Sequence, residues 1–204
     1  MVRVRSKGGR ASLFYTLVKA IAFVLFKIAF RVKVIGASNV PLEGKLVLCA
    51  NHMSNWDPIV LAAFFPRKIA WMGKKELFQK KLLAKPLSWL GVFPVDRQIA
   101  DISAVKTALR VLKEERVLGI FPEGTRVKEF KPENAKAGVA LLAVKAKAPV
   151  LPVFITSTYK LFGPLVITIG EPEDYAANNP GKLDNEKYTE LSEDILTRIY
   201  SLGG

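Results

Sequence analysis

Apolar residues run almost unbroken through positions 11–30, and after them two patterns alternate along the chain. Short apolar or β-branched runs at 32–35, 46–50, 69–72, 117–121, 150–155 and 165–169 predict β-strands. Longer stretches with apolar positions three and four apart predict helices at 58–65, 81–90, 100–114, 135–147 and 185–200. The last of these gathers Tyr188, Leu191, Ile195 and Ile199 on one face. Strands alternating with helices predict an α/β fold, a single domain with a mostly central β-sheet flanked by helices. Pro152 falls inside the run APVLPV at 148–153, and a residue without an N–H predicts an edge or an irregular strand there.

The opening segment stands apart. As a helix, residues 11–30 would extend about 30 Å, the thickness of a bilayer's hydrocarbon core. Lys19 lies near its middle, where a lysine costs about 2.5 to 3.5 kcal/mol on insertion scales, and Lys27 near its end. On a helical wheel Ser12, Thr16, Lys19 and Lys27 share one stripe, leaving Leu13, Phe14, Leu17, Ile21, Leu25 and Ile28 for the other side. That layout predicts a helix lying in the membrane interface or partly inserted, with a spanning helix and ordinary packing against the protein as the alternatives. Arg31 and Lys33 follow at once without a small-residue cleavage site, so the segment is read as a retained anchor and not a signal peptide. The expected organisation is a basic, amphipathic membrane-anchoring segment at 1–30 and a catalytic domain at 31–204.

Composition sharpens the picture in two ways. A chain of 204 residues that is 50% hydrophobic and 24% charged can bury a core and is not a disordered polymer. Its formal net charge of +13 is uneven: residues 1–42 hold eight Lys/Arg and no acid, while 171–204 hold eight acids against three bases. Such a field attracts nucleic acid, an anionic bilayer or acidic small molecules. No stacking-aromatic motif or nucleic-acid fold signature accompanies it, which argues against nucleic acid. One cysteine and one histidine leave no set for a Cys/His zinc site, so no metal is expected.

Four strings carry candidate chemistry. In NHMSNWDP (51–58), His52 and Asp57 meet across a turn where a strand runs into a helix, with Pro58 suited to the first helical turn. An imidazole can take a proton at neutral pH, and a carboxylate on its other nitrogen fixes its tautomer; alternatively, Asp57 only caps the helix. FPEGTR (121–126) follows a strand directly, so Glu123, Gly124, Thr125 and Arg126 emerge at a strand's carboxyl end, where open α/β sheets bind ligands. A plain turn through Gly124 with a solvated Glu123/Arg126 pair is the alternative. GVFPVDR (91–97) brings Arg97 to the end of another short strand, suited to gripping a phosphate or to forming an exposed turn with Asp96. Lys74 and Lys75 follow the strand at 69–72 and offer a point charge or a solvated helix start. Cys49, inside an apolar run, is read as a buried, unactivated thiol and not a nucleophile.

In their order, NHMSNWDP, GVFPVDR, FPEGTR and APVLPV resemble the four motifs of the glycerolipid acyltransferase family, over about residues 32–170. The resemblance implies that His52 and Asp57 do the chemistry and that Lys74, Arg97, Glu123, Gly124, Thr125 and Arg126 serve the phosphate of the acceptor. Lys136 matches a basic position more weakly. It implies acyl transfer to the sn-2 hydroxyl of 1-acyl-glycerol 3-phosphate, giving phosphatidic acid, with glycerol 3-phosphate or another lysophospholipid as alternative acceptors; a non-catalytic basic membrane-binding module is the alternative from another class. The donor would be acyl-CoA or acyl-carrier protein, used as a substrate with no permanently bound cofactor. His52 would deprotonate the hydroxyl, and backbone N–H groups near Gly124 would steady the oxyanion. Such an enzyme is expected at the cytoplasmic face of the cell membrane, peripheral or monotopic, where Arg3, Arg5, Lys7 and Arg10 would each add about 1 kcal/mol on an anionic surface.

Overall fold

The structure, a computed structural model, describes residues 8–96, 99 and 101–204. Arg97, Arg3, Arg5 and Lys7 lie outside the described residues.

A seven-stranded sheet is built from β1 (Arg31–Ile35), β2 (Leu46–Ala50), β3 (Ile69–Lys74), β4 (Val92–Val95), β5 (Val117–Ile120), β6 (Val150–Ser157) and β7 (Pro164–Ile169). Their spatial order is β1-β7-β6-β2-β5-β3-β4, and every pair is parallel except β6 with β7. From β2 the chain moves to β3 and β4 on one side, returns to β5 beside β2, then crosses to β6 on the other side. The crossovers therefore reverse around β2, and the carboxyl ends of β2, β5, β3 and β4 share one rim.

All five residues of β2 are buried because helices cover both faces of the sheet. Successive side chains point to opposite faces, so Val47 and Cys49 join one apolar layer and Leu46, Leu48 and Ala50 the other. The first layer packs under α5 (Ile102–Lys113), α6 (Gly138–Ala146) and α8 (Asn185–Ser201), with Ala108, Leu112, Ala143, Ile195 and Ile199 at its centre. The second packs under α2 (Asp57–Phe64), with Val60, Leu61, Trp71, Leu151 and Val153. Each large apolar side chain fully buried this way contributes about 1.5 to 3 kcal/mol. Gly119 of β5 is required by closeness: a Cβ there would stand 2.5 Å from the Trp71 ring.

Helix ends follow local chemistry. The Asp101 carboxylate accepts the Ala104 N–H and starts α5 later than its apolar period implies. A 3₁₀ turn at Pro132–Asn134 and an extended Ala135 delay α6 to Gly138. Two short helices, α3 (Lys75–Gln79) and α7 (Tyr175–Asn178), are too brief to leave a helical period in the sequence. α4 (Lys81–Trp89) and α8 fall where the periodicity predicts them.

Of the two expectations for Pro152, the edge strand is excluded because β6 is interior, while the residue is buried and closely packed. Its carbonyl accepts the Gly170 N–H on the β7 side. A residue's N–H and carbonyl point the same way in a strand, so the missing N–H faces the point just past the end of β7 and costs the sheet no ladder bond. Pro94 does sit on an edge strand, β4.

In the N-terminal helix α1 (Gly8–Ala29) the polar stripe divides, with Ser12, Thr16 and Lys27 exposed and Lys19 half-buried. The Lys19 ammonium turns to the protein and donates to the Phe65 carbonyl at the end of α2. Tyr15 and Phe26 are buried on the same side, while Leu13, Leu17, Ile21, Val24, Leu25 and Ile28 are exposed in a row on the opposite side. The helix is held by aromatic contacts of Phe23 with Phe64 and of Phe26 with Trp56, at centroid distances of 5.0 and 5.9 Å. The Lys19 ammonium satisfies the end of α2, and the bare apolar face remains.

Candidate active site

The turn after β2 places His52 and Asp57 in contact, Nδ1 to Oδ2 at 3.0 Å, with the imidazole side chain 11% and the aspartate side chain 1% exposed. Oδ2 also accepts the backbone N–H groups of Met53 and Ser54, both at 2.7 Å, and Oδ1 accepts the Tyr159 hydroxyl at 2.6 Å. A carboxylate gathering that many donors is ionised and can only accept. Nδ1 of His52 therefore carries the hydrogen, and Nε2 is left as the basic atom. Asp57 opens α2 as well, so the residue that starts the helix also meets the imidazole.

The FPEGTR loop after β5 braces His52 from the neighbouring strand. Oε2 of Glu123 accepts the His52 N–H at 3.1 Å, and the His52 carbonyl accepts the Val127 N–H at 2.9 Å. The Phe121 ring stacks on the imidazole at 4.0 Å, and the Trp71 indole stacks on Phe121 at 5.0 Å, which fixes the plane of the base. Glu123 is 2% exposed, and its Oε1 accepts the Tyr200 hydroxyl of α8 at 2.7 Å. Burial raises the pKa of this carboxyl, while the bonds from Tyr200 and the His52 N–H pull it back. Burial, and then the bond to this carboxylate, push the Tyr200 phenol up.

Not every expected ligand faces the rim in the same way. Glu123 points inward with both oxygens engaged, so its placement suits a brace and not a phosphate contact. Gly124, at φ 68°, closes a turn in which its own N–H donates to the Phe121 carbonyl at 2.9 Å, so that N–H is not available to an oxyanion. Thr125 and Arg126 are exposed beyond it, and the stem of Lys136 lies 3.5 Å from where a Gly124 Cβ would be. Lys74 ends β3, exposed, with its ammonium 3.5 Å from Glu76; Lys75 lies 3.5 Å from Asp96, the last described residue before Arg97. Strands about 4.8 Å apart put β3 and β4 about 10 to 14 Å along the rim from β2.

Cys49 is fully buried in β2, and burial pushes its thiol pKa up, which suits packing. Among the described residues, no three His, Cys, Asp or Glu side chains come together to hold a metal ion. Sequence reasoning missed three contributors. Asn51, 1% exposed, pairs through its amide with both the N–H and the carbonyl of Ile155, at 2.8 and 3.0 Å, and extends β2 against β6. Tyr159 and Tyr200 reach the site from 102 and 77 residues away in sequence, and no local pattern marks them.

Comparison with known proteins finds the family described as Acyltransferase matching residues 31–156. The 1-acyl-sn-glycerol-3-phosphate acyltransferase of Bacillus subtilis is 35% identical over 88% of this chain and 92% of its own length. The protein of the same name from Streptococcus pneumoniae is 32% identical, over 93% of this chain and 73% of its own. Among solved structures, the 1-acyl-sn-glycerophosphate (LPA) acyltransferase PlsC from Thermotoga maritima superposes with a TM-score of 0.70, covering 96% of this chain and 82% of that one at 23% identity. That likeness supports the fold.

Proposed function

The chain belongs to the Acyltransferase family, and from that premise we propose that it moves a fatty acyl group from a thioester to the sn-2 hydroxyl of 1-acyl-glycerol 3-phosphate, giving phosphatidic acid. The thioester is acyl-CoA or acyl-carrier protein. The observation that carries this reading is the 3.0 Å contact between His52 and a carboxylate that can only accept, at the rim of the sheet.

With Nδ1 committed to Asp57, Nε2 takes the proton of the substrate hydroxyl as its oxygen attacks the thioester carbon. The buried carboxylate stabilises the imidazolium, which returns the proton as the tetrahedral intermediate expels the thiol. No acyl-enzyme is needed, consistent with the unactivated Cys49. Lys74, Arg97, Thr125 and Arg126 act on the acceptor's phosphate, and anchoring it holds the hydroxyl against Nε2. Glu123 and Gly124 shape the loop that carries Arg126. The exposed apolar row of α1 seats residues 1–30 in the membrane interface on the cytoplasmic face, so that residues 31–204 meet a lipid acceptor without extracting it.

The test is acyl transfer by purified protein to a panel of acceptors, lysophosphatidic acid, glycerol 3-phosphate and lysophosphatidylcholine, with both donors. Lysophosphatidic acid is the expected acceptor, and His52→Ala is expected to lose turnover while still binding vesicles. Turnover at the wild-type rate in that variant would overturn the reading.

A further inference from the structure

Asp57 divides its hydrogen bonds unequally. His52, Met53 and Ser54 all bind Oδ2. The torsion that turns a carboxylate about its stem is soft, and three donors on one oxygen leave the plane free to swing about it. Oδ1 is held by one group, the Tyr159 hydroxyl at 2.6 Å.

Tyr159 is itself constrained. It lies in the loop between β6 and β7 at φ 53°, a left-handed backbone conformation that an aromatic residue adopts only when its surroundings enforce it. Its N–H donates to Ser157 Oγ at 3.0 Å, and its ring meets the Phe30 ring edge-on at 5.9 Å. The loop is tied to the end of α1, the Phe162 N–H donating to the Ala29 carbonyl at 2.7 Å and the Arg31 N–H to the Gly163 carbonyl at 2.9 Å. Burial, and then the charge of Asp57, push the phenol's pKa up, so it remains a donor across the physiological range. A strained backbone aimed at one carboxylate oxygen is a costly arrangement for a residue with only a packing role.

We propose that Tyr159 is a positioning residue for acyl transfer, its hydroxyl on Oδ1 locking the Asp57 carboxylate in the plane that presents Oδ2 to His52 Nδ1. The proposal rests on the reading of His52 and Asp57 as base and orienter. Tyr159 touches neither substrate nor the reacting atoms.

The chain's single histidine makes the test direct. Protein labelled with ¹⁵N-histidine reports one native imidazole, so the His52 Nδ1–H resonance and tautomer can be read without assignment, in an untagged preparation in detergent micelles. Tyr159→Phe, which keeps the ring against Phe30, is expected to lower kcat about tenfold, the order expected for a hydrogen bond to a charged group. KM for acceptor and donor should stay within about twofold and the melting temperature close to wild type, with the Nδ1–H resonance displaced. A wild-type kcat and an unmoved resonance would overturn the proposal, as would a loss of kcat accompanied by lower melting and an unmoved resonance. If Tyr159→Phe does not fold, Ser157→Ala takes its place, freeing the Tyr159 N–H and the exposed Pro164 carbonyl, both bonded to the Ser157 hydroxyl. A smaller fall in kcat with a displaced resonance then supports the role, and wild-type values for both reject it. His52→Ala separates the two levels: turnover in that variant refutes the base assignment itself, whereas an inactive His52→Ala beside an unaffected Tyr159→Phe refutes only the positioning role.

Discussion

The substitution Asp57→Asn separates charge from geometry at this site. The N–H groups of Met53 and Ser54 both point at Oδ2 from 2.7 Å. They require an acceptor there, so the amide oxygen of the new side chain takes that place and still accepts Nδ1–H of His52. The amide nitrogen then faces the Tyr159 oxygen, which rotates from donor to acceptor. Shape, tautomer and ring orientation persist, and what disappears is the negative charge opposite the imidazolium formed during transfer. Two unit charges about 4 Å apart at an effective dielectric near 20 attract by about 4 kcal/mol. Part of that survives as the amide dipole, so a loss of about 3 to 4 kcal/mol is expected, a fall in kcat of roughly 10² to 10³. Initial rates of thiol release at saturating acceptor and donor measure it. KM for both substrates should change less than about threefold, because the aspartate is 1% exposed and does not meet substrate. A rate within tenfold of wild type, with the imidazole tautomer unchanged, would refute the claim that this charge stabilises the transition state.

Glu123→Gln offers one carbonyl oxygen where the two oxygens now accept from His52 N–H and Tyr200, and turns an amide N–H₂ toward a donor. A loss of about 1 to 3 kcal/mol in stability is expected by chemical denaturation, with lower activity; an unchanged midpoint would count against the brace. Burial raises the folded pKa of Glu123, so the stability it contributes is full below the ordinary glutamate value and is lost as pH rises through the folded one. Glu123→Gln should flatten that part of the stability–pH curve, which thermal melts across the acid range would show. On α1, Leu17→Glu combined with Ile21→Glu replaces two half-exposed apolar side chains. Burying the exposed half of each contributes about half of the 1.5 to 3 kcal/mol of a whole aliphatic side chain, so co-sedimentation with anionic vesicles should weaken at least about tenfold while activity in detergent micelles persists. Undiminished co-sedimentation would sink the interfacial role of this face.

Much of the architecture was legible because burial repeats at a short period. The strand at 46–50 is apolar at every position since both of its faces are covered, and the helix at 185–200 shows its buried stripe at Tyr188, Leu191, Ile195 and Ile199. The contact of His52 with Asp57 was legible for the same local reason, five residues across one turn. What escaped depends on partners distant along the chain. Pro152 reads as an edge residue until β7 is seen to stop just short of its missing N–H. Lys19 reads as one member of a polar stripe until the Phe65 carbonyl is beside it, which turns that residue inward and leaves the apolar row of α1 out. Glu123 reads as a ligand until Tyr200 and the His52 N–H occupy it.

Sequence by itself determined the elements, the segregation of charge and the pairing of a histidine with an aspartate, because these follow from neighbours within a turn or two of the backbone. Only the tertiary structure decided which oxygen of Asp57 each donor takes and which face of α1 is left bare. Those outcomes are set by strand order and helix packing, which bring Tyr159 to Asp57 and Tyr200 to Glu123 across 102 and 77 residues of chain, and no local periodicity records such a meeting.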